Sequence, residues 1–122
     1  MILAPLLLLL AAQAPDAPST GQAWRELGEA ANGFRIFYDP AAARAGDTVT
    51  ARLLTRFPPA PATAPAYAVS TAEIRCGAGE ARVTRTTNYR ADGAVTADDT
   101  DPVPFEPIVP GSFFANVRHA VC

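Results

Sequence analysis

Apolar and polar residues alternate most regularly between Thr48 and Phe57. There Val49, Ala51, Leu53 and Phe57 fall on one side, and Thr48, Thr50, Arg52 and Arg56 on the other. A period of two belongs to a strand with one buried face, so the spacing predicts a half-buried antiparallel strand. AYAVSTAEIRC repeats the pattern, with Ala72, Ile74 and Cys76 in phase. In EARVTRTTNYR strict alternation puts Ala81, Val83 and Tyr89 on the core side and makes Arg82, Thr84, Thr86, Asn88 and Arg90 a polar stripe. Upstream, AWRELGEAANGFRIFYD carries two strands around Ala30-Ala31-Asn32-Gly33, because Asn-Gly supplies the positive φ angles of a tight hairpin turn. Trp24 anchors the first of these. Phe34, Ile36 and Tyr38 share one face of the second while Phe37 takes the other, which implies a sheet partly covered on both sides.

The period changes at the end of the chain. In PGSFFANVRHAVC, Phe114, Val117 and Val121 recur at spacings of three and four, predicting a helix over about Phe113 to Val121, with Arg118 and His119 outward. Pro110 and Gly111 stop the preceding segment, and Ser112 is placed to cap the first turn. Between the periodic runs lie breakers. Asp39-Pro40 ends a strand, and AAARAGD is expected as a short helical turn or a loop. Pro58, Pro59, Pro61 and Pro65 exclude their segment from any ladder. Gly77-Ala78-Gly79 and Asp92-Gly93 are turns, the latter with a possible short strand after it, and VPFEPIVP is extended.

A helix of this length is marginal alone, since isolated helices shorter than roughly 12 to 15 residues rarely persist in water. The two cysteines of the chain, Cys76 and Cys122, stand at the core end of a strand and at the end of this helix, and a Cys76–Cys122 disulfide is expected to hold it. The closed loop of 46 positions is worth about 4 kcal/mol in the chain-entropy account. Oxidation requires export, and MILAPLLLLLAAQAPDAPST supplies it: Leu6 to Leu10 followed by small residues resembles a secretory leader, and the run is too short to span a bilayer. The expected organisation is a signal peptide over 1–12, a flexible tether over 13–21 and one domain over 22–122. With no lipid-attachable cysteine after the leucines, no membrane span is expected after cleavage. The remaining domain, about 105 residues, buries only roughly 60 to 70% of its unfolded surface, so a covalent staple matters to it.

The balance of 10 basic and 12 acidic residues, net −2, contains no block of one sign and argues against nucleic acid as partner. All the basic residues are arginine. His119 is the single histidine, no nucleophile stands with a base, and DDTD at Asp98 to Asp101 lacks the glycine and distal glutamate of a calcium loop. No catalytic residue, metal ligand or cofactor is therefore assigned. What remains as chemistry is a candidate binding face of Arg52, Arg56, Arg82 and Arg90.

The order of features, with Trp24 opening the domain, FYD at Phe37 to Asp39, a strand ending at Cys76, a strand with Tyr89, then PGS and Cys122, resembles the bacterial surface-adhesin protein E-like family. The resemblance implies an α+β fold, a roughly six-stranded antiparallel sheet with its C-terminal helix tied on by the disulfide. It also implies a non-catalytic exported binding or adhesin-like module whose partner is a protein or extracellular-matrix ligand. A structural periplasmic envelope protein, or a small secreted hydrolase, is the alternative. The expected location is outside the cytoplasm, in the periplasm or at the cell surface or secreted, and oligomeric state stays open.

Overall fold

The structure is a computed structural model describing residues 23–122; the expected leader and tether lie outside the described residues. Eight strands form one antiparallel sheet: β1 (Arg25–Glu29), β2 (Arg35–Tyr38), β3 (Ala43–Ala45), β4 (Thr48–Arg56), β5 (Tyr67–Arg75), β6 (Glu80–Tyr89), β7 (Val95–Asp99) and β8 (Glu106–Pro107). Their order is β1-β2-β4-β5-β6-β7, with β3 beside β4 and β8 beside β6. One helix, α1 (Phe113–Val121), follows. This is the expected α+β sheet-and-helix fold, with two short strands added to the six of the main path.

The β1–β2 connection is the Asn-Gly turn, in which Asn32 and Gly33 take φ of 71° and 80° and Ala30 donates to the Phe34 carbonyl at 2.7 Å. AAARAGD contains β3, where a helical turn or loop is expected from sequence. Ala-Arg-Ala is too short to establish a period, and the strand exists because the turn at Gly46, with φ of 61°, folds it back onto Thr48–Thr50. The proline-rich segment stays out of the ladder, pinned at its neck by Phe57 donating to the Ala66 carbonyl.

Val49, Ala51, Leu53, Ala72, Ile74 and Ala81 make the floor on which α1 lies, and Val117 at its centre is fully buried. Three of these six are alanines, whose small side chains let a helix backbone approach a sheet closely. Phe113, Phe114, Val121, Tyr38, Leu27 and Ile108 close the margins. Ser112 caps the helix through its hydroxyl, which accepts from Ala115 N at 3.3 Å. The Cys76–Cys122 disulfide is present, with Cα atoms 5.8 Å apart.

Two expectations are corrected. Arg118 does not look outward: it bends back across Gly79, and its Nε (3.1 Å) and Nη2 both donate to the Cys76 carbonyl. A long arginine stem can turn its head across a glycine that offers no side chain, whatever face its Cα occupies. Strict alternation also fails in β6. Thr71 pairs with Arg85 and Ala72 with Val83, so Thr84 is an extra, bulged residue. Every residue after it changes sides. Tyr89 and Arg85 lie opposite Val83, and Thr86 joins Ser70 on the helix side, with their hydroxyls 3.2 Å apart.

Candidate binding face

The face away from the helix is covered, among the described residues, by side chains and by no helix or second sheet. β4 contributes Thr50, Arg52, Leu54 and Arg56, β5 Tyr67, Val69, Thr71, Glu73 and Arg75, and β6 Arg82, Arg85, Thr87 and Tyr89, as the pairings require. Leu54 is 1% exposed. The expected half-buried strand is thus buried on both sides at this point, because Leu54, Val69 and Tyr89 form a second cluster under Trp24, Phe37 and Tyr67. Tyr67 and Tyr89 stack at 5.0 Å between ring centres. Burial pushes the Tyr67 hydroxyl above its ordinary pKa, so it stays a neutral donor.

Around this cluster guanidinium groups lie over rings. Arg35 sits 5.4 Å above Phe37, Arg52 5.8 Å above Trp24, and both Arg75 (3.7 Å) and Arg82 (4.4 Å) reach Phe105. Carboxylates fix three of these arginines from the side, Arg35 to Glu26 at 2.7 Å, Arg75 to Glu80 at 3.1 Å and Arg82 to Glu73 at 2.7 Å, and Arg85 is held likewise by Asp98 at 3.0 Å. The hydrogen bond from Arg35 holds Glu26 below the usual carboxylate range, and those from Arg85 and Thr87 do the same for Asp98. Such surface pairs contribute roughly 0 to 1 kcal/mol each, so they order the heads more than they stabilise the fold. A row of pre-oriented arginines and half-buried rings is the composition that protein interfaces favour.

Three of the four arginines predicted from sequence share this face. Arg52 and Arg82 stand on it within the sheet, and Arg56 is exposed at the end of β4 without an ion pair to a described residue. Arg90 is not with them. It lies past the end of β6 in the hairpin to β7, 3.6 Å from Asp92. Arg35, Arg75, Arg85, Trp24 and Phe105 belong to the face and were not predicted. The bulge at Thr84 brings Arg85 to this face; for Trp24 and Phe105 the signal available was a large aromatic beside polar neighbours at the rim of a strand.

The order of strands, the bulged β6 and the stapled helix invite comparison with known families, and the model of the family described as surface-adhesin protein E matches residues 24–122. The chain belongs to the surface-adhesin protein E family. Comparison with curated proteins and with solved structures finds no significant match. Within the surface-adhesin protein E domain described here, no helix is long and apolar enough to cross a membrane. No group of three or more His, Cys, Asp or Glu side chains among the described residues could hold a metal ion.

Proposed function

We propose that this protein is an exported, non-catalytic binding module of the bacterial envelope that presents the open face of its sheet to a protein or extracellular-matrix ligand. Membership of the surface-adhesin protein E family supports an adhesin-like surface role. The observation that carries the reading further is the face itself, where arginines are stacked on rings and held by neighbouring carboxylates before any partner arrives. Pre-ordering lowers the entropy lost on association. Arg52, Arg56 and Arg82 are the proposed contacts within the sheet, with Arg90 at its margin. The leucine run at Leu6 to Leu10 supports export of the chain.

The test is binding of the mature, oxidised protein to immobilised matrix proteins, with Arg52, Arg56, Arg82 and Arg90 each replaced by glutamine. Loss of a rim charge slows association and weakens binding about three- to tenfold, most at low salt. If all four variants bind an identified partner as the parent does, the arginine face is not the contact. Protease treatment of intact cells decides location: a chain cut only after the outer membrane is broken is periplasmic, and adhesion then fails as its role.

A further inference from the structure

On the helix side of the sheet, remote from the open face, the chain builds a second charged place. β2 and β3 pair with successive parts of one edge of β4, at Leu53–Arg56 and Thr48–Thr50, and residues 39–42 cross between them. The pairings Arg25 with Tyr38, Tyr38 with Leu53 and Arg44 with Val49 put Arg25, Tyr38 and Arg44 on the helix face along one edge of β4. The last turn of α1 closes the side. The result is a pocket of about 240 Å³ lined by Arg25, Tyr38, Pro40, Arg44, Val49 and Val121, with no carboxylate side chain in its wall.

Its charge is not balanced from within. Arg35, Arg75, Arg82, Arg85 and Arg90 each lie against an aspartate or glutamate, as a chain with 12 acidic residues to 10 basic allows. Arg25 and Arg44 make no ion pair with a described residue. The polar contact of Arg44 is Nη2 to Cys76 Sγ at 3.7 Å, to a weak acceptor. Two cations with no carboxylate side chain between them in one cleft focus a positive potential there. Each guanidinium offers a planar fork of donors matched to the paired oxygens of phosphate, and the Tyr38 hydroxyl adds one more. The pocket falls below the roughly 300 to 1,000 Å³ typical of drug-sized ligands, which fits a headgroup-sized anion.

We propose that this corner between β2, β3 and the end of α1 is a binding site for a compact oxyanion of the phosphate class, free or carried on a lipid headgroup. A purely structural role, two cations beside the negative end of a helix, would stabilise the fold without any dependence on the anion. Melting and calorimetric titration of the mature, oxidised protein with sodium phosphate, against sodium chloride at equal ionic strength, separates the two. Expected is a saturable rise in melting temperature with phosphate alone. Arg25→Gln or Arg44→Gln weakens it at least about tenfold, the loss of one charge-assisted fork. Flotation with phosphatidylcholine vesicles, with and without phosphatidic acid, identifies the source. Association that needs both phosphatidic acid and the two arginines assigns the headgroup, and saturable phosphate binding without vesicle association assigns the free ion. Should a glutamine variant fail to fold, Arg25→Lys with Arg44→Lys keeps the charge, loses the forks and is expected to bind several-fold more weakly. A response that follows ionic strength alone, or that survives in the glutamine or lysine variants at parental affinity, overturns the site.

Discussion

The two faces of this sheet are built from the same strands yet closed in different ways. On one side alanines and branched aliphatics form a low floor, and a separate helix supplies the cover. On the other, Leu54, Val69 and Tyr89 are covered by rings that the strands and their flanks carry themselves, and arginine heads fill the gaps between those rings. A covered floor is a place for packing. A face roofed by amphipathic side chains keeps a dry base and a polar surface together, which is what a reusable contact area requires.

The comparison is broken most severely at the helix. Reducing the disulfide, or replacing Cys122 by Ser, frees the cover of one face only, and should cost about 4 kcal/mol in urea unfolding of the mature protein. The near-ultraviolet signal of the Tyr67–Tyr89 pair should meanwhile survive in whatever fraction remains folded. A loss below about 1 kcal/mol would mean that α1 stays seated without its staple. Next comes a matched pair of truncations. Ile74→Ala under the helix and Leu54→Ala under the rings each remove a fully buried side chain, and each should cost about 2 to 5 kcal/mol. If Leu54→Ala costs less than about 1 kcal/mol, the open face has no core of its own.

The smallest effect is electrostatic. Glu26 and Asp98 have folded pKa values below their unfolded ones, so the stability they add is complete above the ordinary carboxylate range. It drains away as pH falls through that range toward the depressed values. Asp98→Asn should therefore lower stability slightly at neutral pH and converge with the parent at low pH, flattening the acid limb of a stability–pH curve. An unaltered limb would remove Asp98 from the account.

Much of the fold was legible because its signals are local. Ser112 and the spacing of Phe114, Val117 and Val121 announce a helix within ten residues, Asn32-Gly33 announces a turn, and two cysteines leave one pairing within the chain. What escaped depends on partners distant in sequence. The bulge at Thr84 is invisible in TRTT, where every residue is polar enough for either side, so strict alternation puts Tyr89 on the wrong face. β3 exists only against β4. Arg118 turns inward because Gly79 leaves room, a fact of the turn after β5 and not of the helix. Three of the four proposed contact arginines share a face because β4 and β6 flank β5. Arg25, Tyr38 and Arg44 meet only once β2 and β3 are stacked along one edge.

The segment around β8 carries a further consequence. Phe105 lies on the open side against Arg75 and Arg82, Ile108 joins the packing beneath the helix, and Glu106–Pro107 pair with Glu80 and Ala81 between them. The chain thus hooks over the rim of β6 like a hem folded around cloth. A sheet rim left bare recruits strands from other molecules, and a hem that ends in proline offers no amide there for a newcomer to take. Neighbouring molecules are therefore turned away from one another along the stretch of β6 that β8 covers. Aggregation by strand addition, if provoked by mild destabilisation, is left the outer edges of β7 and β1, the two outermost strands of the main path.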